Sequence, residues 1–327
     1  MQRTLSPGKT LTGPDFARAS ILGWSIEFLQ AFFLVADDVM DDSLTRRGQP
    51  CWYRNPHVNM IAINDSFLLE SFVFTLIKQV SFFFDKVTEW TMDGWGCMKT
   101  KFCWVDELTL PKPSQYFGSE SYYGDLVDLF HDVIQKTEFG QLLDLTSQPM
   151  ENGVEKIDLD RFTIERYKLI VKYKTAYYTF YLPIAIGMIT SGVKDKEAFK
   201  VVEEICCSMG EYFQVQDDFL DCYGDPAVIG KVGTDIQDNK CSWLVVQALK
   251  HASPKQKKVL AENYGRDKES KINRVKEIYS ELGLKAVFEE YEKESYETIK
   301  KGLRKVENFM PRDIFELLLK KIYKRSK

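Results

Sequence analysis

The chain has 327 residues, 44% of them hydrophobic and 13% aromatic, so it can bury a large core in one big domain or two ordinary ones. Its formal net charge of −4 argues against a nucleic-acid-binding protein held by a diffuse basic field. The histidines, His57, His131 and His251, lie far apart in sequence. A histidine-rich zinc site or a histidine-based hydrolase triad is therefore a poor explanation of the chemistry.

The seven cysteines show no C-x-x-C spacing, which indicates free thiols in a reducing compartment. We recognise no signal peptide at the start and expect a cytoplasmic protein. The run 175–193 carries no charge, but it contains three tyrosines, three threonines and Pro183. Because this run is too polar for a membrane span, we expect a buried helix and no transmembrane segment.

The hydrophobic period is helical almost throughout, beginning with an apolar stretch around Ile21 to Ala36 that predicts a buried helix. Strand-like alternation is rare, so the sequence predicts an all-α fold, a single large bundle of about ten helices around a central cavity. Further helices are predicted at 64–78, 122–145, 162–190 with a bend near Pro183, 196–223, from Ser253–Pro254 onward, 271–282 and 286–306.

Two segments interrupt this helical pattern. Residues 222–240 contain three glycines and a proline beyond the predicted helix, which predicts a loop long enough to act as a lid. Residues 80–115 keep neither a helical nor a strand period and read as an insertion, either a real loop, a splice variant or a gene-model artefact. We expect residues 1–15 to be atypical as well.

Two acidic clusters of the form D-D-x-x-D carry the strongest chemical signal, one at 37–41 and one at 217–221. On a helix, positions i and i+4 share a face, so Asp37 and Asp41 should point together, as should Asp217 and Asp221. Crowded carboxylates in apolar helices need a cation, and Mg²⁺ binds through a few carboxylates plus substrate phosphates. A solvated acidic helix end would explain one cluster but not two.

Basic residues accompany the acidic clusters, as a diphosphate substrate would require. Arg46 and Arg47 follow the first cluster, Lys174 begins the uncharged helix, and Lys231 and Lys240 lie on the predicted lid. Each of these could be an ordinary surface residue. Together they predict a substrate with a diphosphate head and an apolar tail that aromatic helix walls would hold.

The segment F-L-Q-A-F-F-L-V-A-D-D-V-M-D with S-L-T-R-R-G-Q-P-C-W-Y resembles the first aspartate-rich motif of trans-isoprenyl diphosphate synthases, and most closely the eukaryotic farnesyl diphosphate synthases. G-E-Y-F-Q-V-Q-D-D-F-L-D resembles the second, and V-K-Y-K-T-A-Y-Y and the ending K-I-Y-K-R-S-K also match. The resemblance spans about residues 20–79 and 116–327. It implies the isoprenoid synthase fold, a homodimer, and condensation of an allylic diphosphate with isopentenyl diphosphate.

The resemblance also implies a role for each matching residue. Three Mg²⁺ ions, which Mn²⁺ could replace, would bind Asp37, Asp41 and Asp217, with Asp38, Asp218 and Asp221 as ligands or supports. The allylic diphosphate would contact Arg46, Lys174 and Lys231, and isopentenyl diphosphate would contact Gln30, Arg47 and Arg325. The developing carbocation would face Thr175 and Gln214, the lid would include Asp235 and Lys240, and the product-length floor would be Phe32 and Phe33.

The resemblance leaves several readings open. Relatives carry a basic G-G-K-x-N-R segment upstream of the first motif, which Ser6–Thr10 matches only superficially. We therefore expect the chain as written to bind isopentenyl diphosphate weakly. The loss of two charge-assisted contacts should lower its affinity roughly 10²–10⁴-fold relative to a chain that has the segment. The alternatives are a geranyl or longer-chain diphosphate synthase, and a catalytically impaired isoform that acts as a dimer partner or diphosphate binder.

Overall fold

The computed structural model describes residues 12–78, 117, 120–151, 154–230 and 232–325. The expected insertion at 80–115, residues 1–11 and Lys231 lie outside the described residues. The described chain is helical nearly throughout, which confirms the predicted all-α class. Its only strands are two-residue pairs in two hairpins, β1 (Thr45–Arg46) with β2 (Gln49–Pro50) and β3 (Met150–Glu151) with β4 (Val154–Glu155).

The helices follow one another in the order that the hydrophobic period predicts, with short additions. They are α1 (Gly13–Met40), α2 (Ile61–Lys78), α3 (Tyr123–Leu145), α4 (Ile164–Val171), a π-helix (Lys172–Tyr181), α5 (Leu182–Thr190), α6 (Lys196–Tyr223), α7 (Pro226–Ile229), α8 (Trp243–His251), α9 (Pro254–Asn263), α10 (Glu269–Glu281), α11 (Leu284–Val306) and α12 (Asp313–Ile322). Three-residue 3-10 turns lie at Trp52–Arg54 and Leu159–Arg161.

Helix α1 begins earlier than its apolar stretch, because Thr12 and Asp15 form a reciprocal capping box ahead of it. The expectation that this helix is buried on nearly all faces is wrong for the single chain. Ile21 and Leu29 are buried, but Trp24 is 53% exposed. By length and composition α1 could cross a membrane, a test that core helices of soluble proteins also pass, and it is the one described helix that meets this criterion.

The predicted long helix at 162–190 is not one α-helix with a bend at Pro183. Its middle ten residues, Lys172–Tyr181, form a π-helix, and Pro183 lies in the first turn of the α-helix that follows. The backbone stays helical from the π-helix into this α-helix, so Pro183 lies inside a continuous helical stretch just beyond the π-helical turns. π-Helical turns are rare and often lie at functional sites. This one carries Lys174 and Thr175.

Glycines on both neighbouring helices let their backbones approach the π-helix closely. A Cβ placed on Gly140 of α3 would lie 2.1 Å from the backbone nitrogen of Lys174. A Cβ placed on Gly210 of α6 would lie 2.3 Å from the Cβ of Ala176. Both distances are far inside van der Waals contact, so only glycine fits at either position. The π-helix is therefore held from two sides next to the residues that face the cavity.

Candidate active site

A cavity of about 740 Å³ lies among α1, α3, the π-helix, α6 and the segment after α6. The cavity is lined by residues that the sequence analysis assigned to a diphosphate site, although these residues are spread over most of the chain. Its lining includes Gln30, Phe32, Phe33, Asp37, Asp41, Arg46, Arg47, Lys174, Thr175, Gln214, Asp217, Asp218, Asp221, Asp235, Lys240 and Arg325. Of the predicted site residues, Asp38 does not line the cavity, and Lys231 lies outside the described residues.

In the first acidic cluster the three aspartates have different surroundings. Asp37 and Asp41 line the cavity, as their i, i+4 spacing predicts. Asp38 points away from it and is 4% exposed. The guanidinium of Arg46 donates to Asp38 from Nε at 3.0 Å and from Nη2. Asp38 therefore serves to orient Arg46, whose Nη2 also lies 3.5 Å from Asp37.

The second cluster repeats this arrangement only in part. Asp217 lines the cavity, and Asp218 also borders it, but Asp218 is 5% exposed and accepts hydrogen bonds from Gln214 Nε2 at 2.9 Å and from the backbone N–H of Trp243 at 2.7 Å. Asp221 accepts the backbone N–H groups of Thr234 and Asp235 at 3.3 and 3.1 Å, so it fastens the returning loop to α6. Burial raises the pKa of Asp218, and these donors only partly oppose that effect.

Asp144, in the last turn of α3, is a site residue that sequence reasoning missed. Its Oδ2 accepts from Lys174 Nζ at 2.7 Å and from Lys240 Nζ at 3.0 Å. Each lysine also reaches the first cluster, Lys174 to Asp37 at 3.0 Å and Lys240 to Asp41 at 2.8 Å. Polar Gln141 and Asp144 in the otherwise apolar run G-Q-L-L-D-L were the available signal. Gln141 Nε2 donates to Asp37 Oδ1 at 3.0 Å.

These contacts shift the protonation equilibria of the acidic side chains. Burial opposes the ionisation of Asp144, but the two lysine ammonium groups outweigh it and hold the pKa of Asp144 well below its usual value. The same balance lowers the pKa of Asp37. Burial and the charge of Asp37 raise the pKa of Asp41 instead, because Lys240 offsets them only in part. The first cluster is thus a crowded set of charges that internal cations neutralise.

Thr175 and Gln214 form a polar chain on the wall of the cavity. The hydroxyl of Thr175 donates to Gln214 Oε1 at 2.8 Å, and Gln214 in turn donates to Asp218. Because the Thr175 hydroxyl hydrogen is used, its oxygen lone pairs remain available to a positive charge in the cavity. This geometry fits the sequence-based role of facing a carbocation.

Aromatic rings line the apolar part of the cavity. The ring centroids of Phe32 and Phe33 lie 4.7 Å apart, and Phe33 lies 5.6 Å from the ring of Tyr178 on the π-helix. The two phenylalanines precede Asp37 by about one helical turn, a rise of ~5.4 Å. A hydrocarbon tail whose diphosphate lies at Asp37 would extend toward these rings.

The β1–β2 hairpin presents Arg46 and Arg47 to the cavity. Its two-residue turn, Arg47-Gly48, has positive φ at both positions, +53° and +76°, which is the pattern of a type I′ turn. The backbone N–H of Gly48 donates to the carbonyl of Gly230 at 2.5 Å. The hairpin therefore touches the predicted lid, whose described residues comprise the end of α6, α7 and a stretch from 232 to 240 that includes a turn at 235–239.

The chain end also reaches the cavity. Arg325 lies over the ring of Phe213, with Cζ 3.8 Å from the ring centroid, and Nη2 donates to the Phe213 carbonyl at 3.1 Å. The same Nη2 lies 3.5 Å from Asp217. Nε donates to the Oε1 of Gln216 at 3.3 Å. The predicted tail residue is thus placed beside the second acidic cluster.

The donor set suits a hard divalent cation. Asp37, Asp41 and Asp217 supply carboxylate oxygens to one cavity, and such oxygens are what Mg²⁺ prefers. Within the described residues, no three acidic, cysteine or histidine side chains already stand grouped at metal-ligand spacing. Lysines occupy the space between the carboxylates, so an ion that enters must draw its remaining ligands from water or from a substrate phosphate.

Comparisons with known proteins place the chain. The polyprenyl synthetase family model matches residues 4–282. The farnesyl diphosphate synthase of Dictyostelium discoideum is 46% identical over 98% of this chain and 75% of the relative. The farnesyl pyrophosphate synthase of Gallus gallus is 48% identical over 98% of this chain and 78% of the relative.

A solved structure agrees with these sequence matches. The farnesyl diphosphate synthase of T. brucei, solved with a bisphosphonate, superposes with a TM-score of 0.79 at 38% identity, covering 95% of this chain and 97% of that one. The family match covers most of the chain, and both relatives are well above 30% identical over most of their own length. The chain therefore belongs to the polyprenyl synthetase family, as a trans-isoprenyl diphosphate synthase similar to the eukaryotic farnesyl diphosphate synthases.

Proposed function

We propose that this chain is a prenyltransferase that makes farnesyl diphosphate from an allylic diphosphate and isopentenyl diphosphate. The observation that carries the proposal is the convergence of Asp37, Asp41 and Asp217 with Arg46 and two lysines on one cavity whose far wall is aromatic. Such a cavity has a charged end for a diphosphate and an apolar end for a prenyl tail. The relatives at 46–48% identity carry the same name in two distant organisms.

The chemistry needs positioning and charge more than a nucleophile. Divalent metal ions, when bound to the aspartates, would neutralise the leaving diphosphate and weaken its bond to carbon. Arg46, Lys174 and Lys240 would take up the charge that develops on the diphosphate oxygens as the C–O bond ionises. Thr175 and Gln214 would face the allylic cation, and Gln30, Arg47 and Arg325 would hold isopentenyl diphosphate for attack.

Several finer features belong to the same proposal. The ions would be three Mg²⁺, replaceable by Mn²⁺, and the chain would form a single domain over 1–327, with 1–15 atypical and 80–115 inserted. The described cysteines, Cys51, Cys206, Cys207, Cys222 and Cys241, are all free thiols, which supports a cytoplasmic, reducing environment.

The direct test is a condensation assay with radiolabelled isopentenyl diphosphate and each allylic primer, dimethylallyl or geranyl diphosphate, in the presence of Mg²⁺. We expect a product of fifteen carbons from both primers. A ten-carbon or a longer main product would favour the geranyl or longer-chain alternative. Binding of the primer without turnover would favour the impaired isoform.

Product length should depend on Phe32 and Phe33. Replacing both by alanine removes the rings that lie about one turn, ~5.4 Å, below Asp37, so we expect the main product to grow beyond fifteen carbons. Phe28→Ala is the matched control, because Phe28 lies on the same helix and packs on Trp24 and Phe72 outside the cavity. An active double variant with an unchanged product spectrum would contradict the prediction that Phe32 and Phe33 limit product length.

A homodimer is supported by the apolar face that α2 leaves exposed. Ile63 and Phe67 are four residues apart and 43% and 59% exposed, and Ile61 and Leu68 are exposed on a second face of the same helix. We expect Phe67→Glu to shift the dimer to monomer in sedimentation measurements, with Glu289→Gln, at an exposed position of α11, as a control that leaves the dimer intact. A monomeric wild-type protein would exclude this part of the proposal.

A further inference from the structure

Asp144 connects the two lysines of the cavity. Its side chain is 8% exposed, and a single oxygen, Oδ2, accepts from both Lys174 and Lys240. The other contact of each lysine is to the first acidic cluster, at Asp37 for Lys174 and at Asp41 for Lys240. Asp144 is thus the point at which the cations from the π-helix and from the segment before α8 meet.

The position of Asp144 is fixed by the backbone around it. Gly140, one turn earlier, brings α3 against the backbone of Lys174. Beyond Asp144, Arg166 donates to the carbonyls of Leu143 and Thr146 at 3.0 and 2.8 Å and closes the end of the helix. The carboxylate therefore stands on a well-packed helix end, where it can set the location of flexible lysine side chains.

Lys174 and Lys240 contact two carboxylates, Asp37 and Asp41, that a metal ion would need as ligands. An ion bound to Asp37 and Asp41 would compete with the lysine ammonium groups for those carboxylates. A buried ammonium beside a divalent cation and without an anion of its own is strongly unfavourable. Asp144 would supply that anion to both lysines through the contacts it makes with them here.

We propose that Asp144 is a positioning residue that retains Lys174 and Lys240 at the edge of the first acidic cluster, so that both can move from Asp37 and Asp41 onto the substrate diphosphate as metal ions bind. This inference rests on the proposed function, in which the lysines contact the diphosphate. In this role Asp144 acts through the two lysines.

The test compares Asp144→Asn, Lys240→Met and the double variant. We expect Asp144→Asn to weaken Mg²⁺-dependent binding of a bisphosphonate, measured by calorimetry, by about tenfold or more, as for one lost charge-assisted contact. The kcat for condensation should fall, whereas the KM for isopentenyl diphosphate should stay within about twofold. Since Asp144 acts through both lysines and Lys240→Met has already removed one of them, adding Asp144→Asn to Lys240→Met should weaken binding by a smaller factor than Asp144→Asn does in the wild type.

Controls separate positioning from folding. Asp132→Asn makes the same change on the same helix at a half-exposed surface pair with Lys136, and it should alter neither binding nor kcat. If Asp144→Asn alone does not fold, the charge-balanced double variant is compared with Lys240→Met. It should bind the bisphosphonate more weakly because Lys174 has lost its anion, and equal binding within about twofold would overturn the inference.

Two outcomes would overturn the inference. One is bisphosphonate binding by Asp144→Asn within about twofold of wild type, and the other is a loss in the double variant, relative to Lys240→Met, as large as the loss that Asp144→Asn causes alone. If the unmodified chain condenses nothing, the proposed function fails, but the binding measurements still decide the role of Asp144.

Discussion

Asp37→Ala and Asp217→Ala are each expected to abolish condensation. Each removes a carboxylate that faces the cavity, and the loss of one electrostatic contact to a developing charge typically costs about 10²–10³-fold in kcat. The two variants should also lose Mg²⁺-dependent bisphosphonate binding. Steady-state rates with geranyl diphosphate and calorimetry with the bisphosphonate provide the measurements.

An exposed aspartate on α3 provides a control for these two variants. Asp128→Ala removes an exposed carboxylate from α3, away from the cavity, and should keep wild-type turnover. Either cluster variant with turnover within about twofold of wild type would mean that the clusters do not act together on the metal.

Gly140→Ala should remove activity and lower the melting temperature together. The added methyl carbon would lie 2.1 Å from the backbone nitrogen of Lys174, so α3 and the π-helix must move apart. Overpacking of this kind typically costs about 1–3 kcal/mol of folding stability. A displacement of about 1 Å in a catalytic group can cost roughly 10²-fold in rate. Thermal denaturation and the condensation rate measure the two effects.

The same helix carries the matched control. A Cβ on Gly124 would meet nothing within 4 Å, so Gly124→Ala should keep full activity and stabilise α3 slightly, since alanine is the better helix former. Wild-type activity in Gly140→Ala would show that the π-helix tolerates displacement, contrary to the close packing seen here.

The features that repeat along the sequence could be predicted from it. The hydrophobic period predicted α6 with the ends that the structure shows. The capping residue Ser253, followed by Pro254, predicted the start of α9. The D-D-x-x-D spacing predicted that Asp37 and Asp41 share a face, because that follows from helix geometry alone. The burial of Asp38 follows from the same geometry, since the next residue on a helix points about 100° away.

The features that depend on contacts between distant segments could not be predicted. Asp144 meets Lys240 across 96 residues, and nothing in the local pattern of α3 names its partner. The sequence of the π-helix, rich in tyrosine and threonine, does not distinguish it from an α-helix, and its departure from α geometry comes with the tight packing at Gly140 and Gly210. The exposure of part of α1 was predicted wrongly, because an apolar stretch does not show whether its side chains pack in the core or lie at the surface.

The two glycines beside the π-helix give a means of classifying related sequences. A homologue that keeps both aspartate clusters but has a larger residue at the position of Gly140 or Gly210 would retain its carboxylates, yet its lysine and threonine would be displaced from them. We expect such a protein to bind diphosphates without joining prenyl units. Glycine at these two positions would then distinguish active synthases from inactive paralogues. The acidic motifs alone would assign activity to both.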